Sequence, residues 1–323
     1  MTYPSEEMIM NQFEIHADDY ALSSHTSEDL LACLRLGGLD SLSVLTNMSC
    51  YEEYAQKYQE EFESWPKKPD LSVHLNFMEG HCVAAVEKVQ HLVNQDGYFN
   101  ISWKTLLFWS YSPKKYYVIK KELKEEIKAQ TERFLDFFGN KQKFRFDGHQ
   151  HTQMIPLVYW ALLEVIVEQR YPTEYIRVTK EPILPYIKLP LLWRTYRPVN
   201  LVKNLLLNFL SFGMEHTINR NRPLWQQENM PMLLWGVLMS GKMDKERVER
   251  LFPIMVSYAK KKKRHLEILF HPGTALPQEL LKEFRDQEAV MFYISKDRSL
   301  EYETVISFLE SNMGKENFGE EHA

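Results

Sequence analysis

Three observations predict an α/β fold built as a single (β/α) barrel of about seven parallel strands. Short runs rich in Val, Ile, Leu or Phe alternate with longer amphipathic or polar segments, as buried parallel strands alternate with the helices that cover them. No break in composition divides the 323 residues, so one large domain accounts for the length. Hydrophobic residues make up 44% and charged residues 26%, the balance of a chain with a packed core and a wet surface. A doubly wound open sheet would give the same alternation, and pattern alone leaves it open.

In chain order, the candidate strands are Gln12 to Ala17, Leu42 to Thr46, Leu71 to Leu75, Lys143 to Asp147, Tyr175 to Thr179, Leu266 to Phe270 and Val290 to Ile294. Helical patterns fill several of the gaps. Ser27 to Leu36 has Ser27 as a plausible N-cap and Gly37-Gly38 as a stop. Pro113 to Phe138 carries charges at i,i+4 spacing and ends at Gly139, and Ile155 to Gln169 follows a histidine cluster. The barrel domain is expected to span 1–311, with 181–235 as a cap or interface insertion and a polar, disordered tail over 312–323.

Several classes are set aside by composition. A formal net charge of -5 gives no case for a nucleic-acid binder. Cys33, Cys50 and Cys82 form neither a disulfide framework nor a thiolate metal site by count or spacing. The N-terminus is acidic and lacks the apolar core of a secretory signal, and no run reaches the roughly 18 apolar residues of a spanning helix. The expected location is the cytoplasm.

In either architecture catalytic groups gather where parallel strands end. Four candidate strands run directly into metal-binding residue types: into Asp18-Asp19, His74, Asp147-Gly148-His149-Gln150-His151, and His271-Pro272-Gly273. Each signal alone has a plain structural explanation, such as a helix cap, a core histidine or a turn. Their recurrence at four strand ends does not. Adjacent carboxylates raise each other's pKa, and a divalent cation relieves that repulsion while leaving one Asp free as a base. In an extended backbone His149 and His151 would share a face with Asp147, which is suited to orient an imidazole. Carboxylate and imidazole donors without thiolates suit zinc, manganese, cobalt or magnesium, and a three-ligand site with an open position is the catalytic pattern.

The segments HADDYALS (16–23), DLSVHLNF (70–77), DGHQHTQMIP (147–156) and LEILFHPG (266–273) resemble, in order and spacing, the YdjC-like carbohydrate deacetylases. That family includes chito-oligosaccharide deacetylases and deacetylases of hopanoid biosynthesis. The resemblance implies a distorted (β/α) barrel related to polysaccharide deacetylases, often a homodimer, that holds one divalent metal ion. Magnesium or zinc is expected. It further implies Asp19, His74 and His149 as ligands, Asp18 as catalytic base and His271 as acid. Asp147, His151 and Tyr20 are left as substrate-binding or supporting residues. The chain departs from the family where an HHHxH-like run is replaced by His149-Gln150-His151-Thr152-Gln153, and where Tyr20-Ala21 stands in place of Phe-Gly.

The implied reaction is hydrolysis of the N-acetyl group of an N-acetylated sugar or glycolipid. Two alternatives remain: another metal-dependent ester or phosphoester hydrolysis, and a non-catalytic sugar-binding or membrane-associated scaffold. Residues 181–212 are apolar, aromatic and broken by prolines, and carry Lys188, Arg194, Arg197 and Lys203. They read as a cap, a dimer interface or a peripheral contact with the inner face of a membrane. Lys260 to Arg264 reads as a solvated helix end.

Overall fold

The computed structural model describes residues 13–139, 144–190, 192, 196–225, 232–280 and 283–316. Among these residues seven strands form one parallel sheet: β1 (Phe13–Tyr20), β2 (Ser41–Val44), β3 (Asp70–Leu75), β4 (Phe144–Gly148), β5 (Thr173–Ile176), β6 (Met232–Trp235) and β7 (His265–Phe270). Their order is β5-β4-β3-β2-β1-β7-β6. The sheet curls until its edges approach, and Leu234 of β6 donates its N–H to the Lys180 carbonyl just past β5 at 2.9 Å. The fold is the expected distorted (β/α) barrel.

Helices α1 (Ser24–Arg35), α2 (Tyr51–Glu61), α3 (Trp103–Ser110), α4 (Tyr116–Phe138), α5 (Pro156–Gln169), α6 (Leu184–Ile187), α7 (Pro198–Trp225), α8 (Lys245–Lys262), α9 (Gln287–Tyr293) and α10 (Lys296–Glu316) complete it. The outward side chains of the strands, among them Val73, Leu75, Phe146, Ile268 and Phe270, are buried in the main apolar cluster with Leu123, Ile127, Leu162 and Leu251 of the helices. The alternate residues point inward and are mostly polar. Glu14, His16 and Asp18 of β1, Ser41 and Ser43 of β2, Arg145 and Asp147 of β4, and Glu267 of β7 are all buried. Buried charges survive only when paired, and these are: Arg145 Nη1 lies 2.8 Å from Glu14 Oε1.

Two expectations about elements need correction. Val290 to Ile294 is no strand: Asp286 accepts from the N–H groups of Glu288 and Ala289 and starts helix α9, which runs through Tyr293. An apolar run that short has no period to distinguish helix from strand. The seventh strand is instead Met232–Trp235, inside the segment read as an insertion. Helix α1 also begins earlier than expected, because Ser23 rather than Ser27 accepts from the Thr26 N–H as N-cap; Ser27 Oγ accepts from the Ala21 N–H. Asn312 to Glu316 continue α10. Gln12, Lys143 and 317–323 lie outside the described residues.

Glu181 fastens the barrel seam. Its buried carboxylate accepts from Tyr186 Oη at 2.7 Å, from the N–H groups of Gly236 and Leu238 at 2.7 Å each, and from Asn204 of α7. One side chain thus ties the segments after β5 and β6 to helix α7.

Candidate metal centre

Parallel strands all present their carboxyl ends on one side, and the expected residues meet there. Asp18, Asp19, His74, His149, His151 and His271 line one cavity of about 270 Å³. Donor atoms of Asp19, His74 and His149 lie within 4.8 Å of one another. His149 Nδ1 is 3.0 Å and His74 Nε2 3.6 Å from Asp19 Oδ1. The backbone is shaped for this. Asp19 has φ 75° and Ala21 φ 68°, left-handed conformations that cost energy in non-glycine residues and recur at functional sites.

Each imidazole is aimed by a carboxylate on its far nitrogen, the arrangement ligating histidines need. His74 and Asp147 are register partners in β3 and β4, and His74 Nδ1 sits 2.6 Å from Asp147 Oδ1. His149 Nε2 sits 2.9 Å from Glu79 Oε2 and 2.7 Å from Tyr293 Oη. Burial opposes a charge on His74, but Asp18 and Asp147 outweigh it and raise its pKa to about 10. His149 is raised to about 9, with Asp19 and Glu79 overcoming its burial. The surroundings therefore favour positive charge where the three donors converge, and one carboxylate with two oriented imidazoles fits zinc or a similar divalent ion.

Asp18 is arranged differently from its neighbour. Burial works against its ionisation, yet Arg177 and His74 hold its carboxyl well below the usual range. Arg177 Nη1 lies 3.0 Å from Asp18 Oδ1 and Nη2 3.1 Å from Asp147 Oδ2, while its Nε faces Glu267 at 2.7 Å. His16, Asp18 and Asp147 also cluster closely enough to hold an ion, but this guanidinium already balances them. Arg298, fully buried, lies 2.8 Å from Asp19 Oδ2 and donates Nε–H to the Gly273 carbonyl.

Not every expected residue lands as expected. The backbone does not stay extended past Gly148: Gln150 and His151 take φ 54° and 59° within a tight helical turn. His151 therefore leaves the His149 face, and its Nδ1 lies 3.3 Å from Thr179 Oγ1. Burial and Lys203 hold its pKa well below the usual histidine value. Tyr20 is not at the cavity. Its hydroxyl donates to the Tyr54 carbonyl, and its ring packs on Tyr54 and Tyr58. His271 is at the cavity rim, its N–H donating to Glu301 Oε2 at 2.6 Å and its ring 5.7 Å from that of Phe292. Sequence reasoning missed Glu79, Arg177, Tyr293 and Arg298. Only Arg177 carried a signal, as a lone charge in an apolar strand run.

Fold and site together define a (β/α)-barrel protein with a candidate Asp-His-His centre at the carboxyl ends of its strands. The chain belongs to the YdjC-like protein family, whose sequence description matches residues 13–308. Over 174 residues it is 25% identical to a carbohydrate deacetylase of Danio rerio, covering 53% of this chain and 51% of that one. Over 177 residues it is 26% identical to a carbohydrate deacetylase of Thermoanaerobacter pseudethanolicus, covering 54% of this chain and 64% of that one. The matched stretch thus spans between about half and two thirds of those relatives. A crystal structure from Enterococcus faecalis V583, described as that of a candidate cellobiose-phosphate cleavage protein, superposes with a TM-score of 0.59 at 16% identity, covering 94% of each chain. That likeness concerns the fold.

Proposed function

We propose that the protein hydrolyses the N-acetyl group of an N-acetylated sugar, releasing acetate and a free amino sugar. The observation that carries this is the convergence of Asp19, His74 and His149 beside an ionised Asp18, with His271 across the same cavity. The names of the two curated relatives support the sugar and the acyl group. Asp19, His74 and His149 would hold the metal, which when bound would polarise an acyl carbonyl and acidify water.

The chain's own groups account for the proton movements. Asp18, kept ionised by Arg177, accepts a proton from the attacking water. The same pairing makes it a weak base, so its gain is full availability and fixed orientation near neutral pH. His271, in its imidazolium form, gives a proton to the departing amine as the C–N bond breaks. Asp147 and Glu79 hold the two imidazoles in place throughout, so no side chain must reorganise as charge develops.

Acetate release from a panel of N-acetylated sugars, with and without chelator and with His74→Ala as control, tests this reading. Chelator-sensitive release that disappears in the variant is expected. A protein that binds one divalent ion per chain yet releases no acetate from any member would overturn the acetyl-sugar assignment. A two-metal phosphoesterase reading is disfavoured, because Arg177 balances the second donor group.

A further inference from the structure

Two stretches of this acidic chain contain no Asp or Glu. Residues 97–121 hold Lys104, Lys114, Lys115, Lys120 and Lys121, and residues 182–214 hold Lys188, Arg194, Arg197 and Lys203. The whole chain is formally -5, so the negative excess lies entirely elsewhere. The fold brings the two stretches together: Tyr111, beyond the end of α3, lines one groove with Trp160 of α5 and Phe209 and Phe212 of α7.

The same stretches carry most of the exposed apolar surface. Eleven of the seventeen large exposed apolar side chains among the described residues fall within them, including Phe108 at 72%, Tyr111 at 70%, Val202 at 65% and Phe209 at 72%. On α7, Val199, Val202, Leu205, Phe209 and Phe212 recur every three or four residues and so form one outward stripe. A contiguous apolar patch of this kind marks an interaction surface. Arg197, Asn200 and Lys203, on the adjoining side of the same segment, line the catalytic cavity.

Charge decides what covers the stripe. Lys120 pairs with Glu164 and Arg197 with Asp297. Lys104, Lys114, Lys121 and Lys188 are exposed and make no ion pair among the described residues. A second copy of the chain would therefore set unpaired cations against unpaired cations. An anionic bilayer would match both the cations and the apolar stripe. No helix among the described residues is long and apolar enough to cross a membrane, so the contact lies along the surface. We propose that the face formed by α3 and α7 docks on an anionic phospholipid bilayer. Helix α7 lies in the headgroup plane, its Val202–Phe209 stripe enters the acyl boundary, and the cavity opens beside the membrane. The proposal does not depend on the reaction catalysed.

The test is flotation of the full chain with vesicles of phosphatidylcholine alone or mixed with phosphatidylglycerol. Partitioning should be at least about tenfold stronger into the anionic vesicles and should weaken as salt is added. Val202→Glu/Phe209→Glu, both exposed and outside the cavity, should remove it while leaving the thermal melt unchanged. Lys104→Glu/Lys114→Glu on the other segment should each cost about fivefold per cation removed. Equal partitioning into both vesicle types, or none into either, overturns the proposal. So does a dimer in light scattering that Val202→Glu/Phe209→Glu converts to monomer, which would assign the stripe to a second copy.

Discussion

Asp18 and Asp19 are neighbours in sequence with separate environments, and each makes its own prediction. Asp18 faces Arg177 and His16, whereas Asp19 faces the two imidazoles and Arg298. Asp18→Asn should keep stoichiometric metal and lose about 10²–10⁴-fold in turnover; full activity would refute its role as base. Asp147→Asn should act on the metal instead, since it frees His74 to rotate. A fall of about 10–100-fold in affinity is expected by calorimetric titration, and unchanged affinity would show that His74 needs no such partner. The Asp and His residues were legible because each follows an apolar run that marks a strand end. Arg177 carried the same cue as His74, a lone polar residue in an apolar run. Glu79, Tyr293 and Arg298 were not legible, because their importance arises only from contacts spanning 70 to 279 residues.

Among elements, six of the seven strands were legible, the four-residue β2 and β5 among them, and β6 was not. β1, β3, β4 and β7 show in sequence because each joins an apolar run to a polar end. β6 is only Met232–Trp235 and lies in a stretch whose proline-rich, aromatic character suggests an insertion. Val290 to Ile294 reads as a strand because five apolar residues fit either period. The turn after β6 is a sharp constraint. Gly236 has φ 150°, and a Cβ there would stand 2.5 Å from the Leu269 carbonyl oxygen of β7. Gly236→Ala should destabilise the fold by about 2–4 kcal/mol and disturb the strand that presents His271. Thermal unfolding with parallel activity assays measures both effects, and an unaltered melt would mean that β7 yields without cost.

At the scale of the molecule, the unusual property is a barrel whose interior is charged. Glu14 illustrates its energetic consequence. Burial opposes its ionisation, but His265 and Arg145 outweigh it and hold its carboxyl well below its ordinary 4.5. A carboxylate with a depressed folded-state pKa stabilises above its unfolded value, and that stabilisation is lost as pH falls. Stability should therefore decline below about pH 4.5 by up to about 1.4 kcal/mol per unit from this group. In Glu14→Gln the acid limb should be shallower by one proton, and stability at neutral pH lower by about 1–3 kcal/mol, because Arg145 loses one buried partner and keeps Asp70 and Glu174. Urea denaturation across pH measures both, and parallel acid limbs would exclude Glu14 as their source.

The ion pair between Arg298 and Asp19 joins residues 279 positions apart. On a ribosome adding about 5–20 residues per second, roughly 15–60 s separate the emergence of one from the other. Throughout that interval β1 carries its two carboxylates without the arginine that balances Asp19, and Glu79 waits for Tyr293 in the same way. The centre is thus a late product of synthesis. A chain halted before α9 would hold all seven barrel strands and both imidazoles, yet lack the Arg298 and Tyr293 contacts to Asp19 and His149.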